Sequence, residues 1–289
     1  MKKVFKLVLI TICIITMTTG CFKRDNLEDA TIYTSAYPAL YITSRLYGDH
    51  STIKSIYPDG VNPSNYKPTD KQLRDYSDGD IFIFNGLTDE KGYVTKLLKY
   101  NKNLKIIDMS LAMEYNNEVE EIWMAPSNFL MLSQNIKNGL LEYINNHYLQ
   151  EEIKTNYDNL KLDISNLDAK LNLLSSSSND PTIVVANDAF KFLEKYGFNV
   201  ISLENNGNLT DKTIYEVRSL MRQGKINYIY IRDDNDVNKI VNRMVKDYNV
   251  ELVKLNTISS LTTKQKTNKE DYITIMNENI ELLKNEIYD

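Results

Sequence analysis

Histidine and cysteine are nearly absent from this chain: two of each in 289 residues, with only ten glycines and six prolines. Each shortage removes a class of chemistry. Gly is too rare and too scattered for a Gly-rich phosphate loop. No Ser/His/Asp arrangement can be placed and no mature cysteine nucleophile remains, so the sequence argues against an enzyme. Positive charge is not in excess: 34 Lys and Arg face 39 Asp and Glu, a formal net charge of −5. A nucleic-acid partner therefore has no electrostatic support. Nor is there an apolar run long enough to span a bilayer, which takes about 20 residues.

What is present begins with a targeting signal. Lys2, Lys3 and Lys6 precede a short apolar core over residues 7–17, and Thr18, Thr19 and Gly20 lead into Cys21. Small residues ending in Gly-Cys at this distance read as a bacterial lipoprotein signal over 1–20, with Cys21 as the lipidated residue. Cys13 is then removed, and Cys21 is the one mature cysteine, which excludes an intrachain disulfide. Lipidation accounts for a lone thiol in a secreted chain, and two acyl chains anchor where one binds only marginally. Losing three lysines takes the formal charge from −5 to −8. The expected place is the extracytoplasmic face of the cell membrane.

A polar tether is read over 21–30. Beyond it, strand-like and helix-like segments alternate. Strands are expected at 31–35, 52–57, 81–84 and 105–108, with helices at 38–47, 70–76 and 91–100. The second helix is marked by a capping box, Thr69 with Gln72. The scheme repeats with strands at 182–186, 199–203, 226–231 and 250–255, and helices at 189–196, 211–223 and 269–287. Thr210 and Asp188 stand where helices start, and Gly197 and Gly224 where they stop. Between the halves, Ile153, Tyr157, Leu160, Ile164, Leu167, Leu171 and Leu174 recur at 4-3 spacing, an apolar seam on one helix face. The seam serves either as a strut between lobes or as a coiled-coil dimer segment.

The fold class is α/β: two lobes (31–148 and 179–289), each a parallel sheet flanked by helices, joined by one long linking helix over 149–178. Ligands of such folds bind beyond the carboxyl ends of the strands, here in the cleft between lobes.

Several segments, in order, resemble the zinc/manganese substrate-binding lipoproteins of ABC importers. Gly60-Val-Asn-Pro-Ser-Asn-Tyr-Lys-Pro-Thr69 is similar to that family's Gly-Ala-Asp-Pro-His-x-Tyr-Glu-Pro-Thr loop. Phe84-Asn85-Gly86 resembles its strand end, and Glu121-Ile-Trp-Met-Ala-Pro126 its His-hydrophobic-Trp-Leu-Asp-Pro segment. Asn187-Asp188-Ala189-Phe190 resembles its His-Asp-Ala-Phe, Ser259-Ser260-Leu261 its Asp-Ser-Leu, and Asp271-Tyr272 through Met276, Asn279 and Leu282 its closing helix. The resemblance covers essentially all of 31–289. It implies a monomeric binding protein that hands a divalent metal, Zn or Mn, to an ABC permease and ATPase.

The resemblance also implies where the metal ligands belong, and there this chain departs. The four positions fall on Ser64, Glu121, Asn187 and Ser259, which are expected to converge in the interlobe cleft. The family's His-rich loop falls near 112–120, which here is acidic and lacks histidine. Neither His50 nor His147 matches a ligand position; the first reads as a turn residue, the second as a helix end. Two hydroxyls, an amide and one carboxylate suit zinc poorly, since zinc prefers imidazole and thiolate. Zinc binding is expected to be micromolar or weaker. Three readings stand: metal held by neighbours such as Asp59, Glu120, Asp188, Asp233 or Asp234; a cleft remodelled for an uncharged or cationic polar solute, with Tyr66, Trp123 and Phe190 as walls; or a non-transporting surface lipoprotein that adheres or docks.

Overall fold

In the computed structural model, residues 27–114 and 119–288 are described. The signal segment, Cys21 and most of the tether lie outside them, as does part of the acidic loop.

Short runs of β-branched and aromatic residues form the strands. In the first half these are β1 (Ala30–Thr34), β2 (Ser51–Ser55), β3 (Ile81–Phe84) and β4 (Lys105–Asp108). They pair in parallel in the order β2-β1-β3-β4, with Ile32 opposite Ile81 and Ile83 opposite Ile107. The second half repeats the order as β6-β5-β7-β8, from β5 (Thr182–Val185), β6 (Asn199–Ser202), β7 (Tyr228–Ile231) and β8 (Glu251–Lys254). All four residues of β3 and of β5 are buried. That is what helices on both sheet faces require of a central parallel strand.

Helices α1 (Tyr37–Tyr47), α2 (Asp70–Ser77) and α3 (Lys91–Tyr100) follow β1, β2 and β3. The capping box starts α2 as expected, with Gln72 N–H on the Thr69 hydroxyl and the Gln72 side chain on Thr69 N–H. The tether ends early: Leu27 is already buried, and its carbonyl accepts from the Tyr47 hydroxyl. Two helices absent from the sequence reading are α4 (Pro126–Tyr143) and α7 (Lys239–Tyr248); α6 is Asp211–Arg222. The helix expected over 269–287 is α9 (Tyr272–Tyr288), and a further short helix absent from the sequence reading, α8 (Thr263–Thr267), precedes it. Each has its own N-terminal bonding, at Thr262 and at Asp271, and this splits them. The segment Asp188–Tyr196 is 3₁₀ rather than α, and its N-cap is Asn187, not Asp188.

The seam lies on α5 (His147–Ser176), one unbroken helix of 30 residues. All seven seam residues are buried in a single apolar core. Ile32 and Phe129 from one lobe and Val185, Phe190 and Ile275 from the other belong to that core. The chain itself covers the stripe, so a dimer is not needed to bury it. Two smaller cores lie on the outer faces of the sheets, around Phe82 and Leu73 in the first and Ile229 and Val241 in the second. No helix among the described residues is long and apolar enough to cross a membrane.

Candidate functional site

The carboxyl ends of both sheets face one another. Loop 56–69 leaves β2 and meets the segment after β8. Gly60 N–H donates to Leu261 O at 3.0 Å, Tyr37 N–H to Ser259 O at 3.1 Å, and Lys266 pairs with Asp59 at 2.5 Å. Asn279 of α9 fixes that segment from behind, accepting from Asn256 N–H and donating to Asn256 O.

Between these segments lies a cavity of about 230 Å³ lined by polar groups, among them Asn62, Ser64, Glu121, Arg232, Asp233 and Thr257. Glu121 interrupts the 3₁₀ segment Val119–Met124 with a non-helical backbone, and it is 5% exposed. Its carboxylate faces a cation supplied by the other lobe. Arg232, directly after β7, reaches Glu121 Oε1 with Nη1 at 3.4 Å and Asp236 Oδ1 with Nη2 at 3.0 Å. Asp236 also accepts the Arg232 backbone N–H at 2.7 Å, so the arginine is held at its base and its tip. The closer hold is on Asp236; the 3.4 Å contact with Glu121 is a longer ion pair across the lobes.

Ser64 lines the same cavity, but its hydroxyl turns back to donate to Asn62 Oδ1 at 2.5 Å. Ser259 is one bond behind the wall, its hydroxyl 2.9 Å from that of Thr257. Asn187 is not among the lining residues. Its amide is consumed as the N-cap, accepting from Ala189 N–H at 2.8 Å and donating to Glu204 at 3.3 Å. Of the four positions, the structure thus brings Ser64 and Glu121 together, sets Ser259 behind them, and commits Asn187 to its own lobe.

The other candidates have partners of their own. Asp188 is bound by Lys191 and Asn206. Burial pushes its carboxyl up, but the Lys191 ammonium and the Ser202 and Asn206 hydrogen bonds win and hold it below the usual range. Asp233 caps the 3₁₀ turn Asp234–Asp236, and Phe190 is core. His50 meets Glu152 at 3.0 Å, and His147 opens α5. Glu120's side chain lies outside the described residues. No group of three His, Cys, Asp or Glu among the described residues is placed to hold a metal ion. The cavity lacks imidazole and thiolate, and it already contains a cation. The guanidinium would repel a dication that Glu121 and Asp233 attract, so the case against zinc rests on the donor types. The donor set does not fit zinc. Sequence reasoning missed Arg232; its position at a strand's carboxyl end was the available signal.

A second cavity, about 260 Å³, opens on the other side of Pro63 and Ser64, within the first lobe. Tyr57, Tyr66, Tyr93, Glu90 and Trp123 line it. Trp123, the one tryptophan in the chain, donates its indole N–H to Thr257 O at 2.7 Å. Nearby, Gly86 N–H donates to Asp108 Oδ1 at 3.0 Å. A Cβ at Gly86 would come within 2.0 Å of Asp108 Oδ2, so no side chain fits there.

A family model described as ZnuA, zinc-uptake complex component A, periplasmic, matches residues 32–286. The zinc-binding protein AdcA of Streptococcus pyogenes serotype M3 (strain ATCC BAA-595 / MGAS315) is 22% identical over 288 residues, covering 88% of this chain and 55% of that protein. The chain thus spans about half the length of such curated relatives. The high-affinity zinc uptake system protein ZnuA of Bacillus subtilis (strain 168) is 19% identical, covering 92% and 89%. The crystal structure of the Zn(II)-bound ZnuA-like domain of Streptococcus pneumoniae AdcA superposes with a TM-score of 0.72 at 23% identity, covering 90% of this chain and 100% of that one.

Proposed function

This chain belongs to the ZnuA family of zinc-uptake complex components, and on that premise we propose that it is the binding component of an ABC importer, working with a permease and an ATPase, in which the metal site has been replaced by an internal ion pair. The observation that carries this is the Arg232–Glu121 contact between lobes. Glu121 stands where the resemblance expects a metal ligand, and an arginine from the opposite lobe neutralises it. Ser64, Asn187 and Ser259 supply no nitrogen or sulfur ligand of the kind zinc prefers. Zinc or manganese as cargo is then held weakly. Anchoring is through Cys21, which places the chain at the extracytoplasmic face of the membrane; Cys21→Ala should leave the protein in the aqueous phase of a detergent partition.

Calorimetric titration tests the site. The wild type should bind zinc with micromolar affinity or weaker. Ser64→His, Glu121→His and Ser259→Asp combined with Arg232→Ala should gain several kcal/mol, at 1.4 kcal/mol per tenfold. Asn187 is left alone because its cap is worth about 1 kcal/mol. Nanomolar zinc binding by the wild type would overturn the replaced site. A folded variant without gain would show that these positions do not form the metal cleft.

A further inference from the structure

Glu90 is a buried charge that the interlobe cleft does not use. It is 7% exposed and lines the 260 Å³ cavity of the first lobe. Its Oε1 accepts from the Tyr57 hydroxyl at 2.9 Å and its Oε2 from Asn85 N–H at 2.8 Å. Among the described residues no lysine or arginine pairs with it, and the charge that acts on it is another carboxylate, Asp108, which raises its pKa further. Burial without a countercharge is costly for a carboxylate.

Four aromatic side chains share the wall with aliphatic and polar residues such as Ala36, Pro63, Leu87 and Thr88. Tyr57 and Tyr66 meet edge to face with centroids 5.8 Å apart, and Tyr93 and Trp123 are the other two aromatics of the lining. The Gln72 amide bonds the Tyr66 hydroxyl at 2.7 Å, and the Glu90 bond holds Tyr57, so two of the rings are fixed in place. Asp89 and Lys67 also line the cavity; both are exposed and their charges offset. The deep ionisable group is therefore an acid, whose ionised form a bound cation would favour.

We propose that this cavity binds a small organic cation of the alkylated ammonium type, with Glu90 as countercharge and the tyrosines and Trp123 as its walls. Aromatic walls around a cation are the usual means of holding quaternary ammonium groups. The chemistry selects against the alternatives. An inorganic divalent cation needs about six oxygen ligands. A primary ammonium needs three acceptors, and each Glu90 oxygen already spends one of its two lone pairs on the protein. An alkylated ammonium needs only charge and apolar contact. Ser64 lines both cavities, and no other residue is shared between this site and the interlobe one.

Trp123, as the sole tryptophan, is a built-in reporter. Choline and tetramethylammonium, titrated into the purified mature chain in neutral to mildly alkaline buffer, should each change its fluorescence saturably, with one site by calorimetry. The uncharged choline isostere 3,3-dimethylbutan-1-ol should bind about tenfold more weakly or worse. Glu90→Gln should lose a similar factor. Tyr66→Leu, at a half-buried position, should weaken both cations while the thermal melt stays near wild type, which covers the case that Glu90→Gln fails to fold. Absence of saturable binding, equal affinity for the isostere, or unchanged affinity in a folded Glu90→Gln or Tyr66→Leu protein would each overturn the proposal.

Discussion

The two lobes are built on the same strand order, yet the carboxyl ends of their sheets are finished in opposite ways. In the second lobe the polar groups after β5 are met by other groups of the same lobe: the Asn187 amide and the Asp188 N–H by Glu204, and Asp188 Oδ2 by Lys191 and Asn206. In the first lobe the carboxylate after β3, Glu90, is met only by hydrogen-bond donors and by tyrosines around a cavity. One end carries its own countercharges and the other leaves one to be supplied. A shared scaffold thus does not dictate a shared site; the residues just past each strand decide it.

The comparison assumes that the lobes are one folding unit, because both pack on α5. Leu167, 1% exposed in the shared core, tests this most strongly. Leu167→Ala should cost about 2–5 kcal/mol. In urea, the far-UV signal of both lobes and the Trp123 fluorescence should fall in one coincident, shifted transition. Two separated transitions would mean that α5 belongs to one lobe, and the ends could then not be compared as parts of one body.

Much of this architecture is legible in the chain. IFIF and TIVV are short apolar runs buried on both faces, and their strands lie where the runs do. The 4-3 seam is long enough to specify α5 unaided. Helix α4 escaped because the apolar residues of Pro126–Tyr143 are interrupted by Asn, Ser and Gln, and its burial comes from packing on β4 and α5. The site was the least legible part. Glu121 and Arg232 are 111 positions apart and only the topology joins them. Glu90 reads locally as one more charge in Asp-Glu-Lys, and nothing in that tripeptide announces a buried carboxylate.

The smallest effect expected is on the pH dependence of stability, and the two lobes should contribute with opposite signs. Asp188 is held below its ordinary 3.8 in the folded chain, despite burial, by Lys191, Ser202 and Asn206. The folded state then binds fewer protons than the unfolded one at acid pH. That stability is present above about 3.8 and is lost as pH falls through the depressed folded value. Glu90 is raised above its ordinary 4.5 by burial, against the lowering by Asn85 N–H and the Ser35 and Tyr57 hydroxyls. Here the folded state keeps its proton longer. Stability therefore declines as pH rises from about 4.5 through the raised folded value, and is recovered on acidification. Urea midpoints measured across the acid-to-neutral range should show Asp188→Asn flattening the acid limb and Glu90→Gln flattening the decline on the other side. If both variants bent the profile in the same direction, the contrast between a self-neutralised end and an unneutralised one would fail. If only Glu90→Gln did nothing, its carboxylate would already be compensated within the folded chain, and the cation site would lose its physical basis.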